Sequence, residues 1–231
     1  MLLTNTYLMN LYAIIVAAGT GKRMGTDIPK QFLELAGKPV LMHTIERFRV
    51  FDESIKIIMV LPENQLNYWR ELQKKYSFDI PHTVVKGGNS RFLSVKNGLM
   101  HVEIPGLVAI HDSVRPLVSI DTIKRCFEAA EKYGSAIPVI SPADSLRIVT
   151  DKGSIPVDRH NIRQIQTPQV FNAELIKKAY LEEYDPAFTD DATVLEKTGE
   201  EIHLVEGNRE NIKITNPEDL LISEALLKSI L

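Results

Sequence analysis

The chain has 231 residues and a formal net charge of −3, and 25% of its residues are charged. This length suits one large α/β domain with a well-buried core and does not require two domains. The balanced charge gives no basic field for nucleic acid or a membrane surface, and the single cysteine, Cys126, excludes an internal disulfide and a multi-cysteine metal centre. No apolar run is long enough for a transmembrane helix. We therefore expect a cytoplasmic protein that binds neither nucleic acid nor membranes.

The first predicted strand covers residues 12–17 and follows a segment without charged side chains. The first charged residue is Lys22, so the apolar stretch that begins at Leu11 lacks the basic flank of a secretory signal peptide. We interpret this stretch as a core strand. We expect an N-terminal extension at residues 1–10 and one domain over residues 11–231.

Up to residue 140, short apolar runs rich in β-branched side chains alternate with amphipathic segments. This alternation predicts a mostly parallel sheet that is covered by helices on both faces. The predicted strands are residues 12–17, 56–61, 83–85, 107–110 and 136–140, and the predicted helices are residues 40–50, 64–76, 91–100 and 120–133.

The alternation breaks after residue 140, where two short strand-like runs flank the turn Asp151-Lys152-Gly153. They predict a β-hairpin arm within about residues 141–164. Because an isolated two-stranded hairpin is barely stable in water, we expect the arm to pack against a second copy of the chain. The later part of the chain predicts helices at residues 173–183, 190–197 and 217–231 and strand-like runs at 202–205 and 211–215.

A glycine-rich loop, Gly-Thr-Gly-Lys-Arg-Met-Gly at residues 19–25, comes directly after the first predicted strand. Ligands of open α/β sheets bind at the carboxyl ends of strands, and glycines let backbone N–H groups approach an anion closely. The spacing fits neither the dinucleotide-binding nor the Walker A pattern. A tight turn with solvated basic residues is the alternative interpretation. The added cations Arg23 and Lys30 favour a loop that binds a polyphosphate.

Two glycines, Gly87 and Gly88, follow the third predicted strand, and Ser90 then precedes a predicted helix. Glycines ahead of a helix start permit close backbone contact with a flat or charged ligand. A simple turn with Ser90 as the helix cap is an equally good interpretation of this segment alone.

The segment His-Asp-Ser-Val-Arg-Pro at residues 111–116 follows the fourth predicted strand. Asp112 can hold a metal ion or a ribose hydroxyl, and Arg115 can bind a phosphate through two hydrogen bonds. The alternative is an internal pair between Asp112 and Arg115 that braces the loop. We favour the functional interpretation because of the position at a strand end, and we interpret His111 as a packing or hydrogen-bonding residue.

Lys213 lies in a polar segment near the C-terminus, between Ile212 and Ile214. Alternation places both isoleucines on one face and Lys213 on the other, where it can deliver a point charge to a phosphate. A solvated lysine on an edge strand is the alternative. The acids in residues 189–191 are interpreted mainly as a helix cap and first turn, although they could also border a metal.

Several segments together resemble the 2-C-methyl-D-erythritol 4-phosphate cytidylyltransferase family. Any one motif is moderately specific, whereas all of them in this order are strongly specific, and the similarity runs from about Leu11 to the C-terminus. The resemblance implies an α/β fold with a single Rossmann-like, mostly parallel sheet flanked by helices, and a projecting β-arm that exchanges contacts in a homodimer. The motifs are AAGTGKRMG and PKQF within residues 17–32, HDSVRP at 111–116, VDR and QTPQVF within 157–171, TDDATVLE at 189–196 and EGNRENIKITNPEDL at 206–220.

The resemblance also implies a reaction: a phosphate oxygen of the polyol phosphate attacks the α-phosphorus of CTP in line and expels pyrophosphate. The nucleophile is already ionised, so the work is neutralisation of charge and alignment. A Mg²⁺ ion held mainly by the triphosphate, with Asp112 as its protein ligand, fits a chain without a dense cluster of acids. CTP and a polyol phosphate are thus the expected partners, together with a second copy of the chain.

Site residues follow from the resemblance, motif by motif. The implied catalytic residues are Arg23, Lys30 and Lys213. The implied CTP-binding residues are Ala17, Ala18, Gly19, Thr20, Gly21, Gly25, Gly88, Asn89, Ser94 and Asp112. The implied residues for the polyol phosphate are Asp112, Arg115, Thr167 and Lys213, joined by Ser145 and Arg159 from the partner's arm.

Two positions depart from the family pattern. The family often has an acid where this chain has Asn89, which weakens the prediction of a contact there with the base or ribose. The family often has Asp-Thr-x-Lys in the arm, where this chain has Asp144-Ser145-Leu146-Arg147. The hydroxyl and the positive charge are kept, so we expect the role to be kept.

Two rival functions remain open from the sequence. The nearest is a cytidylyltransferase for ribitol 5-phosphate or a related alditol phosphate, a sister group that shares most of these motifs. The TDDA motif with Glu196 and the segment at residues 217–220 favour methylerythritol phosphate. The other rival is a non-catalytic nucleotide-sensing module, since a fold does not determine a function. The cations Lys30, Arg159 and Lys213 argue against it, because they are useful mainly where two phosphates must meet.

Overall fold

The computed structural model describes residues 9–17 and 28–230. Within them, strands and helices alternate along the first part of the chain as the apolar runs and amphipathic segments predict. The strands are β1 (Asn10–Val16), β2 (Glu34–Leu35), β3 (Lys38–Pro39), β4 (Lys56–Leu61), β5 (Thr83–Lys86), β6 (Gly106–Asp112), β7 (Ser135–Ile140), β8 (Leu146–Thr150), β9 (Gly153–Val157), β10 (Gln164–Ile165), β11 (Gln169–Asn172) and β12 (Leu204–Glu206).

The helices begin and end at residues that suit helix termini. Ser119 caps α4, where its Oγ accepts a hydrogen bond of 3.0 Å from the N–H of Thr122, and Gly134 ends that helix in the left-handed region at φ 86°. Within the described residues, no helix has both the length and the apolar character that a membrane span needs. The helices are α1 (Val40–Phe51), α2 (Leu66–Lys75), α3 (Arg91–Leu99), α4 (Ile120–Tyr133), α5 (Ala173–Ala179), α6 (Asp191–Glu196) and α7 (Pro217–Ile230).

An eight-stranded sheet forms the centre of the fold. Its order is β10-β7-β11-β6-β1-β4-β5, and β12 pairs with β7 beside this path. The neighbours β6, β1, β4 and β5 are parallel, whereas β11 lies antiparallel between β6 and β7. The carboxyl ends of the parallel strands therefore meet at one edge, where α/β sheets bind their ligands.

Helices cover both faces of the sheet, because successive side chains of each strand point to opposite faces. In β1, Ile15 packs in a core with α1, α2 and α4, whereas Ile14 packs in a second core with α3, α5 and α6. Both side chains are fully buried. The mostly parallel, helix-flanked α/β fold expected from the sequence is confirmed.

The predicted arm is present as a separate two-stranded sheet of β8 and β9. Ile148 and Ile155 lie directly opposite each other across the two strands, and their exposed fractions are 57% and 56%. The arm thus presents apolar side chains that the described part of the chain leaves exposed.

Three details differ from the sequence prediction. The run at residues 211–215 is irregular and not a strand: Ile214 N–H donates one hydrogen bond to Val114 O, at 3.0 Å, and no ladder forms there. Strand β11 was not predicted, because Pro168 and two glutamines mask its short apolar core. Strand β1 begins at Asn10, one residue before the expected domain start.

Candidate active site

A cleft of about 320 Å³ opens where β1, β5 and β6 end. Its walls come from segments that are far apart in the sequence, which the parallel sheet brings to one edge. Among the residues that line it are Lys30, Gly88, Asn89, Arg91, Asp112 and Lys213. Five of these six were predicted as site residues, and only Arg91 was not.

Asp112, the last residue of β6, is surrounded by three cations. Its Oδ2 lies 2.8 Å from Lys213 Nζ and 3.4 Å from Arg115 Nε, and its Oδ1 lies 3.9 Å from Arg91 Nε. Burial alone would raise the pKa of Asp112, but the attraction of these three cations outweighs it and holds the pKa well below its usual range. Asp112 is therefore ionised at neutral pH and holds the cations together at the cleft.

The internal pair between Asp112 and Arg115, which the sequence left as an alternative, is thus present. Arg115 also donates from Nη1 to the backbone carbonyl of Asn211, at 2.7 Å. Lys213 stays the more accessible of the two cations, with 42% of its side chain exposed against 12% for Arg115. Lys213 is therefore free to turn toward an anion in the cleft while Arg115 is held by the protein.

Arg91 is anchored by a carboxylate that lies 100 residues away in the chain. Its Nη1 donates to Asp191 Oδ1 at 2.8 Å and its Nη2 to Asp191 Oδ2, a two-bond pair with a fully buried partner. Burial would lower the pKa of Arg91, and the attraction of Asp191 reverses this and raises it. The hydroxyl of Tyr180 donates to the same carboxylate at 2.6 Å. The pKa of Tyr180 lies well above its usual value, mainly because the hydroxyl is buried and also because the negative charge of Asp191 is close.

Sequence reasoning interpreted the acids at residues 189–191 mainly as a helix cap and its first turn. The structure confirms the cap: Asp190 Oδ1 accepts the N–H of Thr193 at 2.9 Å, at the start of α6. Asp191 has a different role, as the buried partner of Arg91. No signal in the sequence links the two segments, because nothing in either motif specifies a contact across such a distance.

The buried His111 connects the two ends of the turn that carries Asp112. Its Nε2 lies 3.1 Å from Arg115 O, and its Nδ1 lies 3.0 Å from the hydroxyl of Thr167. That hydroxyl in turn accepts the N–H of Asp112 at 3.1 Å. Burial lowers the pKa of His111 to about 4, so the ring is neutral at pH 7. Since a carbonyl only accepts, Nε2 carries the proton and Nδ1 accepts from Thr167.

Gly88 and Ser94 shape the wall at the start of α3. A Cβ atom on Gly88 would lie 2.4 Å from the Cβ of Leu93, so the backbone can follow this path only with glycine here. Ser94 is buried, and its Oγ accepts the N–H of Gly88 at 3.1 Å. Asn89 and Ser90 also line the cleft. Ser90 caps α3, as one of the two interpretations of the sequence had it, and accepts from Leu93 N–H at 3.1 Å.

The other wall joins two parts of the chain that lie 184 residues apart. Lys30 Nζ donates to the carbonyl of Ile214 at 3.2 Å, next to Lys213. The neighbouring Gln31 is buried and donates from Nε2 to Ala17 O, at 3.0 Å, just beyond the end of β1. These contacts bring Lys30 and Lys213 to the same cleft.

The remaining predicted residues fall into two groups. Ser145 and Arg159 belong to the exposed arm and do not line the cleft of their own chain; Arg159 Nη1 donates to Ala143 O at 2.7 Å. Ala18, Gly19, Thr20, Gly21, Arg23 and Gly25 lie outside the described residues.

The donor set of the cleft restricts how a metal could bind. Within residues 9–17 and 28–230, no group of three or more His, Cys, Asp or Glu side chains could hold a metal ion. Asp112 offers one carboxylate whose Oδ2 is already taken by Lys213 and Arg115, which leaves Oδ1 as the more open oxygen. This arrangement fits a Mg²⁺ ion only if phosphate oxygens provide most of its ligands.

Solved structures with this fold define the class of protein. The chain superimposes on 4-diphosphocytidyl-2C-methyl-D-erythritol synthase from Anaerococcus prevotii with a TM-score of 0.81 and 30% identity, over 95% of this chain and 96% of the other. It superimposes on 2-C-methyl-D-erythritol 4-phosphate cytidylyltransferase from Thermus thermophilus with a TM-score of 0.78 and 31% identity, over 95% and 100%. The fold and the cation-lined cleft are those of a nucleotidyltransferase.

The sequence comparisons identify the family. The family model for 2-C-methyl-D-erythritol 4-phosphate cytidylyltransferase matches residues 11–229. The enzyme of that name from Bacteroides thetaiotaomicron is 53% identical over 219 residues, which are 95% of this chain and 100% of the relative; that from Clostridium botulinum is 40% identical over 220 residues, 93% and 98%. The chain therefore belongs to the 2-C-methyl-D-erythritol 4-phosphate cytidylyltransferase family, and the resemblance noted in the sequence is confirmed.

Proposed function

We propose that the protein transfers the cytidylyl group of CTP to 2-C-methyl-D-erythritol 4-phosphate, giving 4-diphosphocytidyl-2-C-methyl-D-erythritol and pyrophosphate. Family membership supplies the two substrates. The observation that carries the mechanism is the gathering of Arg91, Arg115 and Lys213 around Asp112, with Lys30 in the same cleft.

This gathering of charge answers the main physical difficulty of the reaction. A phosphate monoester must approach a triphosphate, and at about 4 Å and an effective dielectric constant near 20 each pair of like charges costs about 4 kcal/mol. The chain as a whole is negative, with a formal charge of −3. In the described part of the cleft, however, the cations Lys30, Arg91, Arg115 and Lys213 outnumber the carboxylates beside them, which are Asp112, Asp191 and Asp219. The local charge therefore favours anions.

We place CTP along the edge formed by β1 and the start of α3. Ala17, Gly88, Asn89 and Ser94 would surround cytosine and ribose, where the close backbone at Gly88 suits a flat ligand. The triphosphate would extend toward Lys30 and Lys213. By sequence, the glycine-rich loop at residues 19–25, with Arg23, would complete its binding.

The polyol phosphate would approach from the side of Asp112, Arg115, Thr167 and Lys213. One of its phosphate oxygens attacks the α-phosphorus of CTP while the bond from that phosphorus to the β-phosphate oxygen breaks. Pyrophosphate leaves with the bond electrons. No general base is required, because the attacking oxygen is already ionised, and the protein contributes alignment and positive charge. Lys30 and Lys213 would stabilise the charge that develops on the transferred and leaving phosphates.

We propose Mg²⁺ as the metal, held by the triphosphate with the open Oδ1 of Asp112 as its protein ligand. When bound, the ion would neutralise phosphate charge and orient the triphosphate. A single available carboxylate in the described cleft supports this mode of binding.

We also propose a homodimer that forms through the arm, within the single domain expected over residues 11–231. The exposed isoleucines of β8 and β9 support it, since apolar side chains on a two-stranded sheet need a partner surface. In such a dimer, Ser145 and Arg159 of one copy would reach the polyol phosphate in the other.

The proposed function is tested by incubating the purified protein with CTP, Mg²⁺ and either 2-C-methyl-D-erythritol 4-phosphate or ribitol 5-phosphate, and measuring pyrophosphate. We expect rapid release with the first acceptor, slow release with the second, and none when EDTA removes the metal. Faster turnover of ribitol 5-phosphate would contradict the proposed acceptor. Binding of CTP without turnover of either acceptor would indicate a nucleotide sensor.

The role of the cleft cations is tested by Lys213→Ala. We expect turnover to fall by about two to three orders of magnitude, the usual effect of removing one preorganised charge partner. Lys228→Ala is the matched control, since Lys228 forms only an exposed pair with Glu224 at 3.0 Å in α7. Turnover of Lys213→Ala within a few-fold of the control would remove Lys213 from the mechanism.

A further inference from the structure

The turn at residues 112–115 carries two of the side chains that form the cleft, Asp112 and Arg115. Its backbone is hydrogen-bonded to β1 and to a side chain of α1. Ser113 N–H donates to Val16 O at 3.1 Å, and Thr44 Oγ1 donates to Ser113 O at 2.8 Å. The turn itself closes through Arg115 N–H, which donates to Asp112 O at 3.1 Å. The position of both charged side chains therefore depends on how firmly this backbone is held.

His111 contacts both ends of the turn. Through Nε2 it binds the carbonyl of Arg115, and through Nδ1 it accepts the hydroxyl of Thr167, which holds the N–H of Asp112. The ring is fully buried and packs edge-on against Phe48, with 5.1 Å between ring centroids. One imidazole thus connects the first and last residues of the turn. We call the connected set His111, Thr167, Asp112 and Arg115 the imidazole clamp.

We propose that His111 is a positioning residue for the transfer reaction, which acts by holding Asp112 and Arg115 in register through the imidazole clamp. This inference rests on the proposed function for its kinetic consequence. It goes beyond a packing role, because one ring nitrogen is bonded to the turn at Arg115 O and the other is bonded to Thr167, which itself binds the turn at Asp112 N–H. Thr167 is then part of the same device: its proton goes to His111 and one lone pair goes to Asp112 N–H.

Two substitutions separate the two ends of the clamp. In His111→Gln the amide nitrogen can reach the place of Nε2, so the bond to Arg115 O can survive while the acceptor for Thr167 is lost. In His111→Asn the side-chain oxygen can take the place of Nδ1, so the bond from Thr167 can survive while the bond to Arg115 O is lost. We expect kcat/KM for the polyol phosphate to fall about tenfold in each variant. We expect the Kd for CTP, measured by calorimetry without Mg²⁺ so that Asp112 holds no metal, to change less than about threefold.

A double-mutant cycle tests whether His111 acts through Thr167. Thr167→Val removes the hydroxyl and keeps the shape of the side chain. If the two residues act together, kcat/KM of the double variant His111→Gln, Thr167→Val is no more than about twofold below that of the less active single variant. A multiplied loss would mean that the two residues act independently, and it would overturn the proposal.

His43→Gln is the matched control. His43 is also buried, and its Nε2 also lies near a backbone carbonyl, but this is Leu35 O at 2.6 Å, which is outside the turn. We expect its kinetics to match the wild type. Equal losses in His43→Gln and His111→Gln, or wild-type kinetics in both His111 variants, would show that His111 is only a core residue.

A second measurement decides the clamp without using activity. In NMR hydrogen exchange, the amide of Asp112 should be protected in the wild type and in His43→Gln, and it should exchange at least about tenfold faster in His111→Gln and Thr167→Val. Unchanged protection in both variants would overturn the clamp. If the wild type releases no pyrophosphate in the assay described above, the proposed function fails, whereas amide exchange still confirms or rejects the clamp.

Discussion

Asp112 shows how one buried carboxylate can organise a cleft that is built for anions. It is the last residue of β6, and it is ionised because Lys213, Arg91 and Arg115 outweigh the cost of burial. In the proposed mechanism, an incoming phosphate would compete with Asp112 for Lys213, whose side chain is the most exposed of the three cations. The carboxylate therefore keeps the cations close together before substrate binds, and the substrate does not bear the cost of assembling them.

The buried neutral ring of His111 predicts a dependence of stability on pH. Burial is the main cause that lowers its pKa from 6.5 to about 4, against the opposing effects of Arg115 O and Asp112. Below pH 6.5 this histidine takes up a proton in the unfolded chain but not in the folded chain. The contribution of the neutral ring to stability is therefore fully present above pH 6.5 and is lost as the pH falls toward 4. Between pH 7 and pH 5 the loss is about 2 kcal/mol.

Urea unfolding at pH 7 and pH 5 checks this. Between the two pH values, the free energy of unfolding of the wild type should fall by about 2 kcal/mol more than that of His111→Asn. The exposed His101→Asn serves as the control and should follow the wild type. The same pH dependence in wild type and His111→Asn would show that the ring is protonated as easily in the folded protein as in the unfolded chain.

The individual residues of the site were predictable to different degrees. Lys30, Asp112 and Lys213 could be predicted, because each follows a recognisable motif at an expected strand end or beside a helix start. The partnership of Arg91 with Asp191 could not be predicted, since a contact across 100 residues is set by packing and not by local pattern. For His111, the sequence indicated either packing or hydrogen bonding and did not distinguish between them.

Two helices on the same face of the sheet are joined by a buried network. Arg91 begins α3, Asp191 begins α6, and Gln169 of β11 accepts from the N–H groups of Asp191 and Ala192 at 3.0 and 2.9 Å. The side-chain amide oxygen of Gln169 thus satisfies two backbone donors at the start of α6 that would otherwise be unpaired. The network also fixes the guanidinium of Arg91 at the wall of the cleft.

Asp191→Asn tests how much this network contributes. The change leaves the guanidinium of Arg91 without its charged partner, and we expect the free energy of unfolding to fall by about 2–3 kcal/mol. The loss stays below that of a fully buried pair because 33% of the Arg91 side chain is exposed. Glu128→Gln, which breaks the exposed pair with Lys124, is the control and should cost less than about 0.5 kcal/mol. Equal midpoints of urea unfolding for the two variants would contradict the assigned role.

The elements themselves were predicted best where the pattern is local. The runs that form β1, β4 and β7 are apolar and β-branched, and the helices between them have clear apolar faces, so their places follow from periodicity. Strand β11 and the irregular segment at residues 211–215 were interpreted wrongly. In both, tertiary contacts decide the backbone: β11 is defined by its neighbours β6 and β7, and Ile214 is fully buried beside Val114 without a ladder.

The arm predicts how two copies of the protein associate. Replacing Ile155, which faces Ile148 across β8 and β9, with aspartate should weaken the proposed dimer, because a charge would be buried at its interface. In sedimentation experiments, Ile155→Asp should shift toward the monomer at concentrations where the wild type is a dimer. Turnover should fall with it, because Ser145 and Arg159 would no longer reach the partner's cleft.

Met100→Asp is the control for this change, since Met100 is also apolar and 76% exposed but lies beyond the end of α3, away from the arm. It should sediment as the wild type does. A dimer that survives Ile155→Asp but not Met100→Asp would place the interface elsewhere.

The position of β11 also has a consequence for how the chain is made. β6 and β7 are joined only through β11 in the described sheet, and the ribosome reaches β11 after it has finished β7 and the whole arm. Strands β1, β4, β5 and β6 can assemble earlier, because all of them come before. Until β11 emerges, one edge of β6 presents unpaired backbone groups, on which a neighbouring nascent chain could add as a strand. Translation of the arm is therefore an interval in which the unfinished sheet is open to aggregation.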